Sequence, residues 1–194
     1  MRNIICVPFA YEDGMKSGVN MVADKNLIIK YLKNACVALV TAKYYNPECE
    51  VVFATNFSEE QLPNTITDTL KHNKILIKKI DFDCFRFDKD YKWGLAFYKL
   101  CVLKHFIYEE FDHFCYLDSD VYIQDSFKPI WKEADQNILL FNINHGFNKE
   151  SYNIFIDEYK RFNGRTKYIT HYGGEFFVAS YSLAKKMLDT EWII

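Results

Sequence analysis

No run of residues in this 194-residue chain approaches the ~18–20 consecutive apolar positions that a membrane-spanning helix needs. Any work at a membrane is therefore expected from its surface. There is no basic excess either. Lys and Arg number 24 against 26 Asp and Glu, giving a net charge of −2 and a pI near 6.2. A broad nucleic-acid surface needs a clustered positive excess, so that partner class is excluded. None of the six cysteines (Cys6, Cys36, Cys49, Cys84, Cys101, Cys115) stands in a C-x-x-C pair, so the linear zinc-ligand spacing is absent. Most sit in apolar runs and read as reduced core residues of a cytosol-like compartment. The N-terminal Met1-Arg-Asn followed by Ile4 to Ala10 lacks the small-residue cleavage site of a secretory signal, and Pro8 and Glu12 interrupt or follow it. No internal repeat, low-complexity tract or linker is present. What remains is 49% apolar and 18% aromatic, enough for one packed core.

The pattern along the chain alternates strand and helix. Ile4 to Phe9 is a short continuous apolar run, as expected of a strand buried on both faces. Ala23 to Tyr45 repeats apolar residues every three or four positions until Asn46-Pro47 stops it. Glu50 to Thr55 reads as a strand, Ser58-Glu-Glu-Gln61 as a helix entry with capping-box spacing, and Ile75 to Ile80 as a weaker strand. Trp93 to Glu110 reads as a second long helix, Phe114 to Leu117 as a strand, and Ile138 to Ile143 as another. An amphipathic helix over Ser151 to Phe162, a strand over Glu175 to Ala179 and a helix capped by Ser180 or Ser182 through Leu188 complete the series. Such alternation predicts an α/β fold, a single domain over 1–194 with a mostly parallel central sheet flanked by helices.

Asp118 and Asp120 carry the functional argument. They follow the apolar strand Phe114-Cys-Tyr-Leu117 and precede Val121-Tyr-Ile123. In extended backbone, residues i and i+2 project from one face, and carboxylates so placed beside apolar strands repel. A hard divalent cation relieves that repulsion and bridges to diphosphate oxygens. Ligands of parallel α/β sheets bind beyond the carboxyl ends of strands, where this pair lies.

Phe114-Cys-Tyr-Leu-Asp-Ser-Asp-Val-Tyr-Ile resembles the hhhLDxDhhh signature of GT-A (Rossmann-like) glycosyltransferases, especially the glycogenin-like and bacterial galactosyltransferase-like group. Trp93-Gly-Leu-Ala-Phe-Tyr-Lys-Leu resembles the helix before that motif. His171-Tyr-Gly-Gly-Glu-Phe-Phe-Val-Ala-Ser resembles the glycine-containing segment lining the sugar site. The resemblance implies a nucleotide-sugar donor, usually a UDP-sugar, a carbohydrate or other hydroxyl acceptor, and Mn²⁺ or Mg²⁺ held by Asp118 and Asp120. Ser119 lies between them as a donor contact. Pro8, Phe9 and Tyr11 occupy the position where such enzymes stack the nucleobase.

On a wheel of about 100° per residue with Leu95 at zero, Lys99 falls at about 40°, among Leu95, Tyr98, Val102 and Phe106. A lysine on an apolar stripe needs an anion or a route to water. Lys99 thus reads either as a donor phosphate contact or as a snorkelling lysine. Gly173-Gly174 either admits a ligand close to backbone or makes a turn. Glu175 opens an otherwise apolar strand, as a solvated strand end or as a group that bonds sugar hydroxyls or accepts the acceptor's proton. Glu175 and Asp120 are the candidate catalytic residues. His145 and His171 read as structural, and Arg161, Arg165 and Lys167 as a solvated loop around Gly164.

The apolar end Glu191-Trp-Ile-Ile looks cut, so the expectation is a donor-binding domain of a longer protein or an unusually small member, with the acceptor half of the site poorly represented either way. Two alternatives stand beside the transferase: a nucleotide-sugar-binding module without turnover, and a haloacid-dehalogenase-type phosphatase, whose D-x-D also ends an apolar strand. The residues after Asp120 lack that phosphatase's later Lys and paired-Asp motifs.

Overall fold

The computed structural model describes residues 1–13, 25–89, 91, 93–143, 153, 157, 160, 161, 164 and 172–189. Strand β1 (Asn3–Phe9) leads into α1 (Lys25–Tyr45), β2 (Glu50–Thr55), α2 (Asn64–His72) and β3 (Leu76–Lys79). Then come α3 (Tyr98–Ile107), β4 (His113–Leu117), α4 (Lys128–Ala134), β5 (Leu139–Asn142), β6 (Tyr172–Ser180) and α5 (Tyr181–Asp189). The strands form one sheet in the order β3-β2-β1-β4-β6-β5. The first four run parallel, and β6 pairs antiparallel with both β4 and β5. The α/β class and mostly parallel sheet expected from the sequence are therefore present.

Both faces of the sheet are covered, which explains the uninterrupted apolar strands. In β1, Ile5 and Val7 pack with α1, α2 and α4 through Leu39, Leu70 and Trp131. Ile4 and Cys6 face the other way, onto Tyr98, Val102 and Phe106 of α3 and Ala184 of α5. One-residue alternation thus divides a single strand between two cores.

Helix α1 buries Leu32, Ala35, Cys36, Leu39 and Ala42 at helical spacing and leaves Val37 and Tyr44 exposed. It ends at Asn46, whose N–H bonds the Ala42 carbonyl at 2.9 Å, and Pro47 follows. Three boundaries differ from the sequence reading. Strand β6 starts at Tyr172, so Gly173-Gly174 lies within the strand rather than making a turn before it, and Glu175 does not open it. The long helix over Trp93 to Glu110 is a 3₁₀ turn (Gly94–Phe97) followed by the shorter α3. Gly94 is a poor helix former, and its N–H bonds the Tyr91 carbonyl at 3.0 Å in a tighter i to i+3 turn. Ser58 to Gln61 encloses only one 3₁₀ turn. Gln61 Oε1 does accept the Ser58 N–H at 2.8 Å, but Leu62 is extended and α2 starts after Pro63. Helix α4 has Pro near its start and is too short to show a periodic signal. Most of the Ser151 to Phe162 expectation lies outside the described residues. Positions 153, 157, 160 and 161 are helical, and Gly164, at φ +63°, bonds back to the Lys160 carbonyl at 2.8 Å. Among the described residues, no helix is long and apolar enough to cross a membrane.

Candidate active site at the β1–β4 crevice

The chain leaves β1 towards β2 and β3 on one side, then returns to place β4 on the other. This reversal is a topological switch point, where the two connections diverge and leave a crevice beyond the strand ends. The register shows the opening. β1 pairs with β2 as far as Phe9 and Thr55, but with β4 only as far as Cys6 and Tyr116. Tyr11 follows β1 at this crevice, and Asp118 follows β4.

Asp118 does not continue the strand. β4 ends at Leu117, and Asp118 to Val121 forms a turn in which the Val121 N–H reaches the Asp118 carbonyl at 3.3 Å. The expectation that two carboxylates share one face of extended backbone is therefore corrected. A turn brings Asp120 near enough to act electrostatically on Asp118. The turn is fixed on both flanks. The Asp118 N–H bonds the Glu175 carbonyl at 2.9 Å, one rung beyond the β4–β6 ladder. Beyond it, the Ile123 N–H bonds Thr41 Oγ1 at 3.2 Å, and the Phe127 N–H bonds Asn46 Oδ1 at 2.6 Å.

Lys99 turns inward, onto β6 and the turn after β4. Its ammonium forms an ion pair with Asp118 Oδ1 and donates to the Gly174 carbonyl at 2.7 Å, with only 16% of the side chain exposed. The Tyr116 ring lies beneath it at 5.7 Å. Burial is the main reason the Asp118 carboxyl is held above its ordinary range. Lys99 pulls the other way, and the charges of Asp120 and Glu175 push it up further. Burial likewise pushes the Tyr116 phenol up, with Asp118 adding to it, so this ring stays neutral.

Glu175 folds back over Gly173. A Cβ at Gly173 would meet Glu175 Oε2 at 1.7 Å, so the glycine is what leaves room for this carboxylate. Glu175 Oε2 is buried and has no hydrogen-bond partner among the described residues. Gly174 is exposed, and its carbonyl serves Lys99. Lys99 pairs with Asp118, the charges of Asp120 and Glu175 act on that same carboxylate, and one buried Glu175 oxygen is left without a partner among the described residues. That surplus of negative charge fits a divalent cation.

The other expected donor residues gather at the end of β1. Pro8 is buried within the strand and Phe9 is half-buried among Tyr31, Phe53 and Phe57. Tyr11 stacks on Phe57 at 6.3 Å and bonds Asp13 through its hydroxyl at 2.7 Å. Ser119 sits in the turn. Some neighbours had no sequence signal beyond their position after a strand. Asn56 clamps the Tyr11 backbone from both sides, at 3.1 and 2.9 Å. Arg86 makes a two-pronged pair with Glu12 at 2.7 Å, tying the segment after β1 to that after β3. His145, His171, Arg165 and Lys167 lie outside the described residues.

No sequence-family model and no curated relative matches the chain. Solved structures do. The galactosyltransferase LgtC, in complex with donor and acceptor sugar analogs, superposes with a TM-score of 0.59 at 16% identity, covering 94% of this chain. The fold is that of the GT-A glycosyltransferases. An active-site mutant of LgtC gives a TM-score of 0.55. Mouse xyloside xylosyltransferase 1 in its apo form gives 0.58 at 8% identity, covering all of this chain and 74% of its own. The chain spans about three fifths (59%) of the length of LgtC.

Proposed function

We propose that this domain is a metal-dependent glycosyltransferase that binds a nucleotide sugar at the β1–β4 crevice and transfers the sugar to a hydroxyl of a glycan or similar acceptor. The observation that carries the reading is the Lys99–Asp118 ion pair at the switch point of a GT-A fold, with Asp120 and Glu175 adding negative charge around it. A UDP-hexose is the favoured donor, with Tyr11 and Phe57 as the aromatic wall for its base. Asp118 and Asp120 would hold Mn²⁺ or Mg²⁺, and the ion would neutralise charge on the diphosphate leaving group.

The chain's own groups have separable tasks. Lys99, already poised between a carboxylate and a backbone carbonyl, faces the charge that develops on the leaving oxygens as the bond to the anomeric carbon breaks. The unsatisfied Glu175 oxygen is available to a sugar hydroxyl, or to the proton of the attacking acceptor hydroxyl.

A screen of common sugar nucleotides with Mn²⁺, Mg²⁺ or chelator, read as nucleoside diphosphate release, tests the proposal. Release is expected only with metal, and Asp118→Ala or Asp120→Ala should abolish metal-dependent donor binding while the fold persists. Undiminished donor binding in both variants overturns it. Metal-dependent binding without release under any acceptor condition would assign a binding module instead. Phosphate release from p-nitrophenyl phosphate, lost in Asp118→Asn, would assign a phosphatase.

A further inference from the structure

Away from the crevice, the segment after β3 folds back on the start of α3 and groups two thiols with two kinds of oxygen. Cys101, buried in the first turn of α3, points its Sγ at Asp83 Oδ1 and at the Asp81 carbonyl oxygen, each 3.3 Å away. Cys84 supplies the second sulfur. One ligand atom from each of Asp83, Cys84 and Cys101 lies within 4.8 Å of the others, which is true of no other set of three such side chains among the described residues. No linear motif announces this set, because the ligands come from a loop and a helix. The loop turns at Phe85, whose φ of +55° is left-handed backbone that bulky residues rarely adopt.

Bond lengths decide what could fill the space. Zinc in a tetrahedral site takes sulfur at about 2.3 Å and carboxylate oxygen at about 2.0–2.2 Å, which makes S···O edges of about 3.5 Å and S···S edges of about 3.8 Å. The 3.3 Å separations around Cys101 are within a few tenths of such an edge. Charge also balances. Two thiolates and a carboxylate exceed a divalent cation by one negative charge, and Lys104 stands on the wall of the adjoining surface cleft of about 470 Å³. Lys79 on the same wall is engaged by Asp81 at 3.5 Å. The half-exposed Cys84 and exposed Asp83 give an ion a path in from solvent.

We propose that Asp83, Cys84 and Cys101, with the Asp81 carbonyl as a fourth donor, form a site for a thiophilic divalent cation of the zinc class, separate from the Asp118–Asp120 pair. Such an ion ties the segment after β3 to the helix that carries Lys99, and its binding displaces the thiol protons. It is independent of any glycosyl transfer.

Metal-stripped, reduced protein titrated with Zn²⁺ against a chromophoric chelator, and with Co²⁺ followed by sulfur-to-cobalt charge-transfer absorption, tests the site. One equivalent should bind with the sulfur signature, and should persist in Asp118→Ala. Affinity should fall at least tenfold in Cys84→Ser and in Asp83→Asn, two accessible positions whose metal-free variants should melt like wild type. Failure to bind an equivalent, binding without the sulfur signature, or unchanged affinity in both variants overturns the proposal.

Discussion

At the residue scale, Asp118 carries its charge at a cost in stability. Its carboxyl is raised in the folded protein, first by burial and then by Asp120 and Glu175, in spite of Lys99. A group raised on folding contributes stability that is full below its unfolded pKa and is lost as pH rises through the folded one. Ionised Asp118 therefore costs stability at neutral pH. Asp118→Asn is expected to melt at or above wild type near pH 7, with the difference closing in acid. Thermal melts across pH check this, and a variant that melts lower at pH 7 would show that the Lys99 pairing outweighs burial. Gly173 offers a second test. Its missing Cβ is space that Glu175 Oε2 occupies, at 1.7 Å from where the carbon would be. The clash is with the end of a flexible side chain, so Gly173→Ala should keep the fold and expel the carboxylate. Its transfer activity should fall with that of Glu175→Gln, by ~10² or more if Glu175 is the acceptor's base. Because both act on one group, the double variant should be little worse than either single one. Independent, multiplying losses in steady-state assays would separate them.

At the element scale, one buried amide joins α1 to the segment behind the Asp118 turn. Asn46, fully buried, donates from Nδ2 to the Ala42 carbonyl at 3.1 Å and accepts the Phe127 N–H at 2.6 Å. Asn46→Ala leaves the Phe127 N–H buried and unpaired. A cost of roughly 2–3 kcal/mol is expected, or about 5–10 °C in melting temperature for a chain of this size, read by thermal or urea unfolding. A loss within error would mean that water replaces the amide. That contact was invisible in the sequence, where Asn46 is only a helix stop before Pro47. Strands β1 and β2 were legible because both of their faces are buried and nothing polar interrupts them. The α3 boundary was not, since Gly94 and its i to i+3 bond replace four expected helical residues with a 3₁₀ turn. Lys99 was legible as a lysine on an apolar arc, but its partners were not. Asp118 and Gly174 lie far along the chain, and the sequence holds no mark of who meets whom. The same distance hid Asn56 beneath Tyr11 and Cys84 beside Cys101.

At the scale of the whole molecule, the charge balance is nearly neutral, but the fold concentrates negative charge where β4 ends beside β6. The chain carries −2 in total, yet Asp118, which pairs with Lys99, also feels the charges of Asp120 and Glu175. A diphosphate approaching alone meets more negative charge than positive. With a divalent cation the excess is neutralised, and the Lys99 ammonium can turn from Asp118 towards phosphate. Binding should accordingly be synergistic. UDP with chelator should leave the melting temperature unmoved, and Mn²⁺ alone should raise it slightly. The two together, at about 100 times the dissociation constant, should add ~2.7 kcal/mol, which for this length is about 5–10 °C. Asp118→Ala should abolish the synergy while retaining a cooperative transition. Lys99→Met should keep the response to Mn²⁺ alone but weaken the added effect of UDP, since only the second step places phosphate beside the ammonium. Equal stabilisation by UDP in chelator and in Mn²⁺ would mean that the acidic cluster does not face the diphosphate, and that the nucleotide is held by the aromatic wall at Tyr11 and Phe57 alone.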